Sequence, residues 1–124
     1  MANGTSVVIV VQDLFFAVRI TDTLRALGYK AVTAQNVHEL RAALISERPR
    51  LVILDLQMQG VEPHLVMQVI REAAPGRVIP VLAFGPHTDV KRRNEALQAG
   101  CQRVVPKSVL AAELPQLVKS LLSV

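Results

Sequence analysis

Short apolar runs and stretches of helical periodicity alternate along this chain. Residues 6–11 and 51–54 are continuous runs dominated by branched apolar side chains, which is typical of strands buried on both faces of a parallel sheet. The first run is followed by the polar residues Gln12 and Asp13, and the second is followed by Asp55. Because the carboxyl ends of parallel strands form the ligand crevice of an open sheet, these three polar residues mark the candidate site.

Weaker patterns predict the remaining elements. Further strands are predicted at residues 29–34, 78–83 and 103–105, with Pro80 near the start of the fourth strand. Helices are predicted at residues 14–27, 37–47, 64–73 and 89–99, and a last helix follows residue 108. In the first helix, the apolar residues Leu14, Val18, Leu24 and Leu27 recur at near-helical spacing. Pro115 either delays the start of the last helix or kinks it.

The order of these elements predicts the fold class. Five strands alternate with five helices over short connections, and right-handed crossovers then give an α/β, doubly wound parallel sheet with helices on both faces. Placing the first strand beside the third gives a flavodoxin-like (βα)5 three-layer sandwich with strand order 2-1-3-4-5. The length of 124 residues suits one domain over residues 1–124.

Composition and charge narrow the class of protein. The absence of a signal sequence, of a membrane span and of more than one cysteine predicts a soluble, cytoplasmic chain in a reducing compartment. The net charge is +4, yet no basic run is longer than the triplet at residues 91–93, and aromatic residues for base stacking are scarce. The charge therefore favours an acidic protein partner and indicates neither a nucleic acid nor a membrane.

Four segments resemble the receiver domain of two-component response regulators. They are Leu-Val-Ile-Leu-Asp-Leu-Gln-Met at 51–58, Ile-Pro-Val-Leu-Ala at 79–83, Ala-Gly-Cys at 99–101 and Val-Pro-Lys at 105–107. Thirty residues separate Asp55 from Gly85 and 22 separate Gly85 from Lys107, which match the spacing of the family's aspartate, Ser/Thr and lysine. The resemblance implies that Asp55 accepts a phosphoryl group from a histidine kinase. It also implies that Lys107 contacts that group or, before modification, Asp55.

The resemblance further implies a weakly bound Mg²⁺, a hard cation that takes carboxylate, carbonyl and water oxygens. In the family, the cation lies between an acidic pair after the first strand, the acceptor aspartate and the backbone carbonyl two residues beyond it, here Gln57. Counting back from Gly28, the acidic pair falls on Val11 and Gln12. Alternatively, a shorter first loop lets Asp13 take the place of the second acid. The expected ligands are Asp13, Asp55 and the Gln57 carbonyl, with Gln12 a neutral candidate beside them.

The chain also departs from the family at the positions that transmit the signal. Gly85 stands where the family has the Ser or Thr whose hydroxyl contacts the phosphoryl group, and Val104 stands at the position of the switching Tyr or Phe. These departures predict a degenerate switch, typical of a pseudo-receiver. Cys101 is expected to be a small buried residue, and the three histidines are expected to have capping or surface roles.

These observations favour a stand-alone receiver domain that has no enzymatic activity of its own and acts through protein–protein interaction. Its expected partners are a histidine kinase or a phosphorelay or regulatory protein with an acidic surface, or a second copy of the chain in a homodimer. The partner surface is predicted on the fourth helix, fifth strand and fifth helix, with Lys91, Arg92, Arg93, Arg103 and Lys119. The alternative is a flavodoxin-like small-molecule or cofactor-binding protein. It is disfavoured because no Gly-rich phosphate loop follows the first strand.

Overall fold

The two branched apolar runs form adjacent strands at the centre of a parallel sheet. In the computed structural model, which describes residues 4–122, β1 (Ser6–Val10) pairs with β3 (Leu51–Asp55), and the apolar side chains of both strands are fully buried. The other strands are β2 (Lys30–Ala34), β4 (Val81–Gly85) and β5 (Arg103–Pro106). Their order is β2-β1-β3-β4-β5, so the predicted topology is confirmed.

Five helices cover the sheet and complete the predicted three layers. They are α1 (Leu14–Ala26), α2 (Val37–Glu47), α3 (Pro63–Ala73), α4 (Val90–Ala99) and α5 (Lys107–Leu122). One apolar core lies between the sheet and α2, α3 and α4, and the other lies between the sheet and α1 and α5. The predicted domain at residues 1–124 includes residues 1–3 and 123–124, which lie outside the described residues, and its extent stays a prediction.

Local signals fix where several helices begin and end. Asn36 accepts a hydrogen bond from the Glu39 amide at 2.8 Å, and Asp89 accepts one from the Arg92 amide at 3.1 Å. Each of these side chains satisfies a backbone N–H that has no partner within the first helical turn. Gly100 ends α4 with a φ of 116°, a left-handed conformation that suits glycine. These residues therefore set the start of α2 and both ends of α4.

The buried face of α1 differs from the predicted face. Leu14 and Val18 are 63% and 56% exposed, whereas Phe16, Ala17, Ile20, Thr21 and Leu24 are buried. Asp13 caps the helix and sets its start, and from there the i, i+4 series through residues 16, 20 and 24 turns toward the sheet. Leu14 and Val18 lie half a helical turn away from that series, so they face outward.

Two predicted boundaries are also corrected. Strand β4 begins at Val81 and not at residue 78, because Pro80 has no N–H for the ladder and Val78 is 88% exposed. The strand also ends two residues later than predicted, and Gly85 is its last residue. Pro115 kinks α5, since Glu113 leaves the helical conformation at φ −121°. None of the helices within residues 4–122 is long and apolar enough to cross a membrane.

Candidate functional site

Asp55 lies at the carboxyl end of β3, at the centre of the sheet edge. Its neighbours in the ladder are β1 on one side and β4 on the other, where its register partner is Phe84. The carboxylate oxygen Oδ1 accepts a hydrogen bond from the Gln57 amide at 2.9 Å. The side chain is thus held at the mouth of the crevice, half-buried, with its second oxygen directed at no backbone donor of the following turn.

The pKa of Asp55 is raised above the ordinary value of 3.8, chiefly because burial disfavours the charged form. The Gln57 amide, Lys107 and Arg92 lower this pKa, and the negative charge of Asp13 raises it. The groups that shift the pKa of Asp55 therefore lie in the turn after β3, at the start of α1, on α4 and on α5. A cation bound next to the carboxylate would offset part of the cost of burying its charge.

Lys107 is the first residue of α5, directly after β5, and its side chain reaches the start of α1. Its Nζ is 3.8 Å from Oδ2 of Asp13 and 4.5 Å from the centre of the Phe16 ring. The predicted direct pairing of Lys107 with Asp55 is absent from the ion pairs of residues 4–122. Asp13 competes for the ammonium group because it lies on the same side of the crevice. Lys107 still acts on Asp55 through its charge.

Asp13 has two roles that come from its place between β1 and α1. Its Oδ1 accepts hydrogen bonds from the amides of Phe15 and Phe16 at 3.0 and 3.3 Å, which caps α1. Its charge also reaches Asp55. Val11, by contrast, is fully buried in the core, and Gln12 is exposed. Of the two alternatives for the acidic positions, this placement favours the one in which Asp13 is the acid of the site.

A small cavity lies on the β4 side of Asp55, where Gly85 and Val104 stand. It has a volume of about 20 Å³ and is lined by Leu56, Gly85, Arg92, Val104 and Pro106 among others. That is room for about one water molecule. A β-carbon built on Gly85 would lie 3.4 Å from Cβ of Leu56, an ordinary contact distance. The cavity thus borders Gly85 and Val104, and a side chain at position 85 would first contact Leu56.

Arg92 enters the site from α4, and sequence reasoning missed this role by assigning it to the partner surface. Its Nη1 donates a hydrogen bond to the carbonyl oxygen of Leu56, the residue after Asp55. Its Nε lies 3.9 Å from Oδ2 of Asp89, the N-cap of the same helix. The sequence did offer one signal for this role, because Arg92 lies three residues after the N-cap Asp89. A long side chain in the first turn of a helix that begins at this sheet edge can reach the crevice.

The oxygen donors fit Mg²⁺ in type. Asp13 and Asp55 supply carboxylates, Gln57 supplies a backbone carbonyl, and water completes the octahedral shell that this hard cation prefers. The fit is limited in number, because residues 4–122 contain no group of three or more acidic, histidine or cysteine side chains suited to a metal. The Asp13 carboxylate is also already engaged by Lys107 and by the start of α1. Two carboxylates are consistent with the weak binding expected.

Of the other candidate residues, His87 lines the cavity beside Gly85, whereas Cys101 lies in the core. Cys101 is buried at the end of α4, and burial raises the pKa of its thiol to about 11. Like the predicted small buried residue, it packs within the core formed with α2, α3 and α4. The side chains of His38, His64 and His87 lie on three different segments and form no metal-binding group among the residues described.

The fold and the site together define the class of protein. Its features are an open parallel sheet and, at the carboxyl edge of that sheet, a half-buried aspartate with a lysine nearby. The family description "Response regulator receiver domain" matches residues 7–119. The chain therefore belongs to the response regulator receiver domain family, and the resemblance noted from its motifs is confirmed.

Relatives and solved structures agree with this assignment. The chain is 33% identical over 116 residues to the "Probable transcriptional regulator ycf27" of Cyanophora paradoxa, covering 93% of this chain and 47% of that protein. It is 28% identical to the DNA-binding transcriptional regulator NtrC of Salmonella typhimurium, covering 81% of this chain and 21% of that protein. The chain thus spans about half the length, or less, of these curated relatives.

The structural matches cover nearly whole chains. The receiver domain of the sensor histidine kinase PA1611 from Pseudomonas aeruginosa superposes with a TM-score of 0.82 at 21% identity, covering 98% of this chain and 99% of that chain. That structure has a magnesium ion coordinated in its active-site cleft. A response regulator from Thermotoga maritima gives a TM-score of 0.78 at 23% identity, covering 97% of this chain and 98% of that chain.

Proposed function

We propose that this chain is a receiver module of two-component signalling in which Asp55 is the phosphoacceptor and partner binding does not depend on phosphorylation. The observation that carries the proposal is the contrast around Asp55. Charged groups that can handle a phosphoryl group surround it, whereas a cavity lies where the signal would be passed on. In this proposal the module acts by binding proteins and not as an enzyme.

The reacting groups suit transfer to a carboxylate. A carboxylate oxygen of Asp55 attacks phosphorus and forms the new O–P bond, while the bond from phosphorus to the donor breaks and the donor keeps that electron pair. Lys107 lies within electrostatic range of Asp55, and its ammonium can neutralise a phosphoryl oxygen. Asp13, Asp55 and the Gln57 carbonyl would hold Mg²⁺, which when bound neutralises charge on the phosphoryl oxygens.

The proposal of a degenerate switch rests on Gly85 and Val104. A conformational switch needs an element whose two states interact differently with the phosphoryl group. Gly85 has no side chain that could be drawn toward that group, and Val104 is a β-branched residue with no ring to rotate. The cavity between them supports the same interpretation. The partner surface is therefore formed in the unmodified state.

The proposed partner surface lies on α4, β5 and α5. Its exposed basic residues are Lys91, Arg93, Arg103 and Lys119, which we call the basic face. Two apolar side chains of α4 are also exposed, Val90 at 51% and Leu97 at 48%. Positive charge around apolar contacts suits an acidic protein partner or a second copy of the chain. A histidine kinase or a phosphorelay protein is the expected donor to Asp55.

Intact-mass measurement tests the phosphoacceptor directly. The protein is incubated with a small phosphodonor and Mg²⁺, and the wild type is compared with Asp55→Ala. The expected result is a phosphoryl adduct on the wild type and none on the variant. An adduct that persists in Asp55→Ala would show that another residue accepts the group, and an unmodified wild type would contradict the assignment of Asp55.

A further inference from the structure

The guanidinium of Arg92 lies where an oxyanion on Asp55 would need a second cationic partner. Leu56 follows Asp55, and its backbone is held from two sides. Its amide donates to the Phe84 carbonyl at 2.9 Å, and its own carbonyl accepts from Nη1 of Arg92. The Arg92 side chain therefore crosses from α4 to the end of β3, within electrostatic range of the Asp55 carboxylate.

The surroundings of Arg92 keep its side chain near the crevice. Asp89 accepts a hydrogen bond from the Arg92 backbone amide at 3.1 Å through Oδ1, and its Oδ2 lies 3.9 Å from Nε of the guanidinium. Both the start of α4 and the direction of the Arg92 side chain thus depend on one carboxylate. Arginine carries five N–H donors in a planar fork, and the Leu56 carbonyl takes only one of them.

A small cavity next to Leu56, the residue after Asp55, leaves space beside the guanidinium. It is lined by Arg92 together with Leu56 and Gly85, and no side chain at position 85 stands between α4 and the end of β3. Lys107 comes from α5, which packs with α1 on the opposite face of the sheet from α4, and its Nζ lies 3.8 Å from Asp13. A tetrahedral oxyanion on Asp55 would therefore meet one cation from each face of the sheet.

We propose that Arg92 is a binding residue for a phosphoryl oxyanion on Asp55, taking the place of the hydroxyl that Gly85 lacks. The proposal rests on the assignment of Asp55 as phosphoacceptor. When the oxyanion is present, the guanidinium contacts it while Asp89 still caps α4, so the helix keeps its position. Arginine suits this task because its fork matches the spacing of phosphoryl oxygens.

The matched control is Arg103, an exposed arginine of the basic face that is not among the residues lining the cavity. Arg103→Gln removes the same charge from β5, whereas Arg92→Gln removes the contact to Leu56 as well. Binding of fluoroberyllate, a phosphoryl mimic, is titrated in the presence of Mg²⁺. We expect Arg92→Gln to weaken binding about tenfold, the loss of one charge-assisted hydrogen bond, and Arg103→Gln to stay within about twofold of the wild type. Arg92→Lys should recover part of the loss.

Titration with Mg²⁺ alone separates an anion-binding role from a merely structural one. Removing a positive charge near the site should leave the affinity for a cation unchanged or raise it, so Arg92→Gln should weaken fluoroberyllate binding without weakening Mg²⁺ binding. If Arg92→Gln weakens both, Arg92 only holds the Leu56 loop and the inference is overturned. Equal effects of Arg92→Gln and Arg103→Gln would also overturn it. A wild type that does not bind the mimic would overturn both this inference and the assignment of Asp55.

Discussion

The two sides of Asp55 are built for different tasks. On the paired side, Asp13, Phe16 and Lys107 contact one another through an ion pair at 3.8 Å and a cation–π contact at 4.5 Å. On the open side, Gly85 and Val104 border a cavity of about 20 Å³, and Arg92 crosses it to the Leu56 carbonyl. The paired side joins the start of α1 to the start of α5, whereas the open side leads toward α4.

This difference separates two properties of a receiver. Accepting a phosphoryl group needs a carboxylate, cations and fixed donors at one sheet edge, and the described residues supply these from β3, α4 and α5. Transmitting the event needs a side chain that changes place when the group arrives. Neither Gly85 nor Val104 offers one, so we expect binding at Asp55 with little transmission to the basic face.

The largest effect should come from the paired side. Lys107→Ala removes the ammonium that acts on Asp55 and should weaken fluoroberyllate binding by roughly 10- to 100-fold, as expected for lost charge-assisted hydrogen bonds. The fold should persist, because an ion pair with half-exposed partners contributes under about 1 kcal/mol. Lys119→Ala, which removes the same charge from the exposed end of α5, is the control. Equal losses in both variants would remove the distinction between the two sides.

A new carboxylate should strengthen the metal site. Gln12→Asp places a third acid beside Asp13 and Asp55, and more carboxylate charge raises divalent-cation affinity, here on the order of tenfold for Mg²⁺. Gln12 is exposed, so the substitution buries no charge, whereas Val11 is fully buried. Gln98→Asp, an equal charge change on exposed α4, should leave Mg²⁺ affinity close to that of the wild type. Identical titrations for both variants would place the acidic position elsewhere.

Removing the Asp55 charge should stabilise the fold at neutral pH. Burial raises the folded-state pKa above 3.8, so the folded state binds more protons than the unfolded state in the window between the two values. The stability of the wild type therefore falls as pH rises through that window and stays lower above it. Asn carries no charge, so the Asp55→Asn variant does not lose stability in this way. Without metal, denaturant unfolding should show a gain for Asp55→Asn at pH 7 that disappears below pH 3.8.

The exposed Asp22 on α1 provides a comparison for that measurement. Asp22→Asn removes the same charge from a solvated position and should change stability little at any pH. A pH-independent effect of Asp55→Asn, or one equal to that of Asp22→Asn, would contradict the cost assigned to burying the Asp55 charge.

The smallest effect is expected for a side chain restored on the open side. Gly85 has no positive φ, and a β-carbon there meets Leu56 at 3.4 Å, so Gly85→Ser should change the free energy of unfolding by less than about 1 kcal/mol. Gly100→Ser should cost about 1–2 kcal/mol, because φ is 116° there. Thermal or denaturant unfolding compares the two. A larger cost at Gly85 would mean that the open side cannot accept a side chain.

The fold could be predicted from the sequence because its strongest signals are local. The branched runs at 6–11 and 51–54, the caps at Asn36 and Asp89 and the stop at Gly100 act within one element, and the structure has each of them. The buried face of α1 was predicted wrongly, because Leu14 and Val18 are apolar and lie four residues apart, as residues on a buried helix face do. The helix that begins after the Asp13 cap instead turns Leu14 and Val18 outward.

The site was less predictable because its contacts join distant residues. Asp55 follows from its place at a strand end, but Arg92 reaches Leu56 across 36 positions, and no periodicity reveals such a contact. Similarly, the pairing of Lys107 with Asp13 depends on β1 and β5 presenting their ends to the same crevice. Each of these side chains has several possible acceptors in the crevice, and the geometry of the folded chain decides which acceptor it contacts.

Amide spectra with Mg²⁺ and saturating fluoroberyllate test the central claim most directly, namely that charge at Asp55 is bound but not transmitted. The predicted result is that shifts are confined to residues adjoining Asp55, Lys107 and Arg92, while residues 94–105 and the later turns of α5 keep their positions in the spectrum. Large shifts throughout β5, the C-terminal half of α4 and the basic face would contradict the claim, because they would show that the chain transmits the signal without a hydroxyl at Gly85 or a ring at Val104.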